Sequence, residues 1–258
     1  KGGDIQASIK AYDELKRNFP RSKSYLDDEV LQQGIILVMT RKYPLAIKTL
    51  TSLLQDYPTS KLRDEAHYWL GYVISFSAEL LRKKNKQQAL QEYKTSIQHF
   101  KNSDPTALTQ SQQQERWYLT GRAWWFLDDI SKTADAWEQY LKHSKSVKPE
   151  QALNLKYQLA AKFQQSKKYE QAERWFARIV TDHPNTKLAA GSAFWRAEMA
   201  YAASLQKTET AALEPKSVKR LVNNYKIYLT KKEKKHLPLT YYRIGVLEQK
   251  HQPHETII

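Results

Sequence analysis

One spacing recurs in two distant parts of the chain and constrains the fold more than any other feature. Two small residues and a proline follow one another at intervals of twelve residues, at Gly34, Ala46 and Pro58 and again at Ala160, Ala172 and Pro184. Larger residues fall at matching places in both parts: Tyr43 with Tyr169, Leu50 with Phe176, Leu62 with Leu188, and Trp69 with Trp195. Small residues let two helices approach closely, and a proline ends the second helix. The spacing therefore predicts repeated pairs of antiparallel helices.

The hydrophobic pattern between these positions is helical throughout. Segments such as LAIKTLTSLLQDY and YEQAERWFARIV place apolar residues three and four apart, which lines one face of an α-helix. Glycine and proline are scarce, at 7 and 9 of 258 residues, and this disfavours a turn-rich β protein. One helical pair cannot bury its own apolar face, so the pairs must stack. We therefore predict an all-α fold.

The pattern predicts two kinds of helix, which we call first-type and second-type according to their order within a pair. First-type helices are predicted over 23–41, 60–82, 110–127, 150–165, 186–206 and 236–250. Second-type helices are predicted over 4–19, 43–57, 86–102, 131–145, 168–183 and 216–230. The chain opens in a second-type helix and closes on QPHETII, which matches the start of another. We therefore expect a single repeat domain over 1–258, open at both ends and cut from a longer protein.

Two segments, KYPLAIKTLTSLLQDYP and KYEQAERWFARIVTDHP, keep the order of small, aromatic and proline positions found in tetratricopeptide repeats. The chain resembles the tetratricopeptide (Sel1-like) superhelix family over nearly its whole length, with about half of its units imperfect. The resemblance implies a right-handed α-solenoid of about six antiparallel hairpins. It also implies a non-catalytic scaffold that binds protein partners.

The corners YPTSK and HPNTK, each followed by a long helix rich in alanine and aromatic residues, are similar in style to bacterial envelope repeat proteins. Examples are the periplasmic coordinator of the Tol–Pal system and the assembly lipoprotein of the outer-membrane β-barrel machinery. This similarity implies partners among envelope-complex components. It implies a periplasmic location, with the cytoplasm as the alternative.

In this family the first helix of each pair lines a concave groove, and aromatic residues of this chain fall at the corresponding positions. Three residues before the small residue of each first-type helix stand Leu31, Tyr68, Gly121, Tyr157, Phe194 and Tyr242, and one residue after it stand Tyr72 and Trp125. The predicted groove residues are Tyr68, Tyr72, Trp125, Tyr157, Phe194 and Tyr242. Tyrosine and tryptophan offer large, stiff contact area to a peptide. The alternative is that these rings fill the space between neighbouring helices, and their burial distinguishes the two.

The chain is strongly basic, with a net charge of +15 and an isoelectric point near 9.6. Two basic clusters fall where helices meet: Arg82, Lys83, Lys84 and Lys86, and then Lys231, Lys232, Lys234 and Lys235. They favour either phosphate and acidic-protein contacts or simply solvated loops. A basic solenoid that binds nucleic acid or an anionic glycan is therefore the second functional hypothesis. No polar pair recurs at a fixed place in the repeats, as base-reading repeats require, so nucleic acid is the less favoured partner.

The sequence contains no pattern that indicates catalysis. There is no cysteine, the seven histidines form no HExxH pair, and neither a glycine-rich phosphate loop nor GxSxG is present. We predict that the chain is not an enzyme and that it uses no metal, cofactor or small-molecule substrate. We also predict no transmembrane segment. A third hypothesis is the helical arm of a murein-processing enzyme whose catalytic domain lies outside this chain.

Overall fold

The computed structural model describes residues 23–143, 147–207, 213–231 and 233–249, together with positions 7, 10, 11, 14, 17 and 18. From residue 23 onward the described residues form eleven α-helices, one short 3₁₀-helix and no strand. The α-helices are α1 (Lys23–Met39), α2 (Tyr43–Asp56), α3 (Arg63–Leu81), α4 (Lys86–Asn102), α5 (Gln110–Phe126), α6 (Ile130–His143), α7 (Pro149–Gln165), α8 (Tyr169–Asp182), α9 (Lys187–Lys207), α10 (Pro215–Leu229) and α11 (Leu237–Gln249). The prediction of an all-α, tetratricopeptide-like solenoid is confirmed.

The chain packs into two compact units, Lys1–Lys145 and Ser146–Ile258. In the first unit each helix from α1 to α6 packs against the next, and α3 also contacts both α1 and α5. In the second unit the helices from α7 to α11 pack in the same consecutive order. The first unit therefore places its first-type helices α1, α3 and α5 side by side. A single domain over 1–258 stays a prediction.

The same backbone turn joins the two helices in three of the hairpins. Arg41, Asp128 and Lys167 each adopt a left-handed backbone, with φ of 60°, 61° and 56°, two residues before a second-type helix. At each corner the next amide bonds a carbonyl five residues back, as from Lys42 N to the Leu37 oxygen at 2.9 Å. This is the Schellman arrangement, which satisfies the last carbonyls of a helix and reverses the chain. It fixes the antiparallel course of α1–α2, α5–α6 and α7–α8.

Glycines mark the points where paired helices approach most closely. A Cβ atom added to Gly34 would lie 2.4 Å from Cδ2 of Leu50, and one added to Gly121 would lie 2.2 Å from Cδ1 of Trp137. Both distances are shorter than any real contact, so these positions exclude every side chain unless the partner moves. The close approach predicted at Gly34 is therefore confirmed. In the third pair the close contact is at Gly121. The predicted groove positions had instead placed the small residue of this helix three residues later, at position 124.

The predicted helix bounds agree closely with the observed ones. The helix predicted over 168–183 is Tyr169–Asp182, whereas the one predicted over 60–82 begins later, at Arg63. A 3₁₀-helix at Pro105–Ala107, which no pattern predicted, lies between α4 and α5. Most of the helix predicted over 4–19 lies outside the described residues, although those that are described within it are helical.

Candidate binding surface

The first unit presents a surface where the first-type helices α3 and α5 run side by side, and we call it the α3–α5 seam. Its members are Glu65, Tyr72, Phe76 and Glu79 of α3 and Gln112, Glu115 and Arg122 of α5. Glu65, Tyr72 and Glu79 follow one another at seven-residue intervals, as Glu115 and Arg122 do, so each set lies along one helix face.

Hydrogen bonds join the two helices at both ends of the seam. At one end Gln112 Nε2 donates to Glu65 Oε1 at 3.1 Å. At the other end Arg122 Nη2 donates to Glu79 Oε2 at 2.8 Å, and Tyr93 Oη of α4 donates to the same oxygen at 3.0 Å. Burial alone raises the pKa of Glu79, but the bonds from Arg122 and Tyr93 outweigh it and the pKa is lowered. These contacts hold α3 and α5 in a fixed register.

Glu115 lies between these two bonded ends and differs from both. Its side chain is half-buried, and the burial raises its pKa. Among the described residues none donates a hydrogen bond to Glu115 or forms an ion pair with it. Burial raises the pKa of the Tyr68 and Tyr72 phenols, and the charge of Glu115 adds to both effects. The middle of the seam therefore holds a partly desolvated carboxylate beside two tyrosines.

Aromatic rings form the rest of the seam. The half-buried ring of Tyr72 packs against Phe76, with centroids 4.8 Å apart, and against Trp69, with centroids 5.5 Å apart. The guanidinium of Arg122 lies 5.7 Å from the centre of the Phe76 ring. Tyr72 and Phe76 are both partly exposed, so the seam offers ring surface next to the carboxylate of Glu115.

The predicted position on an open groove is wrong for Tyr68 and Phe194, whose exposed fractions are 2% and 1%. The Tyr68 ring packs toward Phe100 of α4, with centroids 6.4 Å apart. The Phe194 ring stacks on His236 at 4.1 Å and packs on Tyr228 of α10 at 5.6 Å. In both helices, the side chain three residues before the small residue points toward the following second-type helix. These two rings therefore fill the core and do not line a groove.

The other predicted groove residues keep some exposure and are divided between the two units. Tyr72 and Trp125 are half-buried, and Trp125 stacks on Trp137 with centroids 5.7 Å apart. That contact follows from the shifted register at Gly121. Tyr157 and Tyr242 are 37% and 63% exposed, on α7 and α11 of the second unit. Only Tyr72 of the six is a member of the seam.

In the first predicted basic cluster, the side chain of Arg82 is tied into the fold. Arg82 Nη2 donates to Glu79 Oε1 at 2.9 Å, and its guanidinium lies 4.2 Å from the centre of the Phe126 ring. The remaining lysines of the first cluster, Lys83, Lys84 and Lys86, are exposed. In the second cluster Lys231 is partly exposed, Lys234 and Lys235 are exposed, and Lys232 lies outside the described residues.

The second unit contains a cluster like the one around Glu79, in which an arginine and a tyrosine donate hydrogen bonds to one glutamate. Arg243 of α11 donates to Glu198 of α9 through Nε at 3.1 Å and Nη2 at 3.2 Å, and Tyr225 of α10 donates to the same carboxylate. The Arg243 guanidinium also lies 4.7 Å from the centre of the Tyr201 ring. Neither cluster can be recognised from spacing in the sequence, because Glu79 and Arg122 are 43 residues apart, and Glu198 and Arg243 are 45 apart.

His67 of α3 and His99 of α4 bring two potential metal ligands together. Their Nδ1 atoms lie 2.9 Å apart, and both side chains are half-buried. Within the described residues no group of three or more His, Asp or Glu side chains is placed to hold a metal ion. No described helix has the length and apolar character needed to cross a membrane.

Residues 30–60 match the family model of the tetratricopeptide repeat. The chain therefore contains a tetratricopeptide repeat in this segment. The matched repeat takes in α2, most of α1 and the Gly34–Leu50 contact. This helical pair carries the twelve-residue spacing of Gly34, Ala46 and Pro58. The resemblance to this family is confirmed, whereas the similarity to envelope proteins stays a prediction.

The solved structures that match this chain are distant in sequence. A tetratricopeptide repeat protein from Parabacteroides merdae is 14% identical, with 95% of this chain and 93% of that chain covered and a TM-score of 0.41. The C-terminal part of a repeat protein from Cytophaga hutchinsonii is 13% identical, with 95% and 91% covered and a TM-score of 0.43. BtubC from P. vanneervenii is 14% identical, with 85% and 90% covered and a TM-score of 0.37. Among curated proteins, none matches the chain.

Proposed function

We propose that this tetratricopeptide repeat protein is a non-catalytic scaffold that binds segments of partner proteins on the α3–α5 seam. The observation that carries the proposal is the partly exposed pair of Tyr72 and Phe76 beside the unmatched carboxylate of Glu115. Aromatic side chains supply much of the binding energy at protein interfaces, because they bury large area at low entropic cost. The exposed rings of Tyr157 and Tyr242 offer further contact area on the second unit.

The bonded ends of the seam support binding by a preformed surface. The Gln112–Glu65 and Arg122–Glu79 contacts hold the two helices before any partner arrives. A preorganised surface binds more tightly than a mobile one, because less conformational entropy is lost on association.

We propose a bacterial envelope assembly as the setting and the periplasm as the compartment. Support comes from the resemblance of the YPTSK and HPNTK corners to envelope repeat proteins. Fractionation of the producing cells tests this, with an antibody against the full-length protein. Release by osmotic shock is the expected result, and recovery in the cytosol alone contradicts the proposal.

A second candidate function is binding of an anionic polymer. It is favoured by the exposed side chains of Lys83, Lys84 and Lys86 together with the net charge of +15. Such binding rests on release of counterions, so it weakens steeply as salt rises. Contacts through aromatic rings depend far less on salt.

The two functions are separated by measuring bound material at about 50 mM and about 500 mM NaCl with the full-length protein. One variant carries Tyr72→Ala and Phe76→Ala, and the other carries alanine in place of Lys83, Lys84 and Lys86. We expect protein partners that persist at high salt, survive the lysine changes and are lost with the aromatic changes. Circular dichroism checks that both variants fold. Retention by the aromatic variant together with loss by the lysine variant contradicts the scaffold proposal.

A further inference from the structure

Three carboxylates on first-type helices can be compared directly. Glu79 receives hydrogen bonds from an arginine and a tyrosine, and Glu198 receives the same pair of donors. Glu115 receives neither from any described residue, although it too is partly removed from water. The fold therefore supplies a cation for two of these carboxylates and leaves the third without one.

The unmatched carboxylate is at the centre of the seam. Glu115 comes one helical turn after Gln112 and two turns before Arg122 on α5, and both of those side chains are bonded to α3. On α3 the corresponding middle position between Glu65 and Glu79 is Tyr72, which donates no hydrogen bond to Glu115. The contacts on either side keep the helices from shifting to give Glu115 a donor of its own.

A carboxylate in this position gains from an incoming positive charge. Partial burial has already removed some of its hydration, so a cation brought beside it recovers interaction energy at little further desolvation cost. The neighbouring Tyr72 ring is partly exposed, and the face of an aromatic ring also attracts a cation.

We propose that Glu115 receives the positively charged group of an arginine or lysine side chain from a bound protein segment, with Tyr72 packed against that side chain. The proposal rests on the scaffold function and names the chemistry of its partner. Arginine fits better than lysine, because its planar guanidinium pairs with a carboxylate through two hydrogen bonds and stacks on a ring.

The rest of the partner segment is not basic. The chain carries a net charge of +15, and this charge repels a strongly cationic segment before contact. A single arginine within a neutral or acidic segment satisfies Glu115 without that repulsion.

Selection from a phage library of random peptides tests the proposal. Peptides of about twelve residues, when extended, exceed the roughly 21 Å that separates Glu65 from Glu79, fourteen positions further along helix α3. The full-length protein is compared with Glu115→Gln, Glu115→Lys and the control Asp135→Asn, which changes an exposed carboxylate on α6. We expect the unchanged protein and the control to enrich peptides with arginine at one fixed position.

The two changes at Glu115 give opposite expectations for charge. Glu115→Gln is expected to abolish the arginine preference and to weaken binding of the best peptide by about tenfold or more. Glu115→Lys is expected to enrich aspartate or glutamate at the same position. Glu115→Gln is nearly isosteric, so it keeps the test valid if the lysine variant does not fold.

The outcomes separate this inference from the scaffold proposal. If enriched peptides bind but keep the same arginine preference on Glu115→Gln, or show none on the unchanged protein, the role of Glu115 is overturned and the scaffold stands. If no peptide is enriched on the unchanged protein, both proposals are contradicted.

Discussion

Arg122 of α5 donates a hydrogen bond to Glu79 of α3 across 2.8 Å, and this relationship has a counterpart in the second unit between Arg243 and Glu198. In each case a buried tyrosine of the intervening second-type helix donates to the same carboxylate. Each cluster thus ties one helical pair to the first helix of the next pair. Polar contacts of this kind fix the register that apolar packing alone leaves loose.

Removing the cation from one cluster tests its contribution to stability. Arg122→Met keeps the apolar stem but removes the ion pair between α5 and α3, so that Glu79 keeps only its pair with Arg82. We expect the free energy of unfolding to fall by about 1–3 kcal/mol at neutral pH. The measurement is urea unfolding. As a control, Lys226→Met removes an exposed pair with Glu248 and is expected to cost less than about 0.5 kcal/mol. Equal losses in the two variants contradict a special role for the cluster.

A pair of glycine substitutions tests the close approach of paired helices. Gly121→Ala places a methyl group 2.2 Å from Trp137, and we expect a loss of about 1–3 kcal/mol in the free energy of unfolding. Gly245→Ala is the matched control in α11, because nothing lies within 4 Å of the added atom. That change is expected to stabilise the helix by about 0.5–1 kcal/mol. Thermal unfolding that ranks the two variants in the reverse order overturns the packing described for Gly121.

The histidine pair between α3 and α4 predicts a loss of stability in mild acid. Burial and the positive charge of His67 lower the pKa of His99 to about 4, and burial and Arg63 lower the pKa of His67, partly opposed by Asp64. The unfolded chain takes up these protons near pH 6.5, before the folded chain does. Stability therefore falls as the pH drops from about 6.5 toward about 4.

The variant His99→Gln isolates this effect. Relative to it, we expect the unchanged protein to lose about 1 kcal/mol more over that range, after allowance for the partial exposure of the ring. Chemical denaturation at a series of pH values measures the difference, in which contributions from carboxylates such as Glu79 cancel. Parallel curves for the two proteins are incompatible with a neutral histidine pair.

Glu115 gives the opposite dependence on pH. Because burial raises its pKa, its contribution to stability is intact below the unfolded value of about 4.3 and is lost as the pH rises through the folded value. Glu115→Gln is therefore expected to stabilise the free protein near pH 7 by less than about 1 kcal/mol, since the side chain keeps part of its hydration. Near pH 3 the variant and the unchanged protein are expected to be equal. Destabilisation at neutral pH indicates that Glu115 already has a partner within the fold.

The helices and their pairing could be predicted from the sequence because their determinants are local. The interval between Gly34 and Ala46, and the larger residue at Leu50, encode a close contact within one hairpin. A proline at the start of α2 and a Schellman corner before it are likewise set by a few neighbouring residues.

The binding surface could not be predicted in the same way. Its members come from α3 and α5, which are separated in the sequence by α4 and by an irregular connection that contains a 3₁₀-helix. The repeat spacing therefore does not relate Glu115 to Tyr72. The rotation of α3 about its axis decides that Tyr68 is buried while Tyr72 is half-exposed. That rotation depends on side chains from three helices and is not encoded in the repeat spacing.

The most direct test of the scaffold on the α3–α5 seam is photo-cross-linking in the producing cells. The photoreactive residue p-benzoylphenylalanine is placed at Tyr72 of the full-length protein and, as a control, at exposed Leu45 of the second-type helix α2. The account predicts that mass spectrometry identifies protein adducts at position 72 that are absent at position 45. Equal adducts at both positions, or attachment at position 72 to nucleic acid or glycan instead of protein, contradicts it.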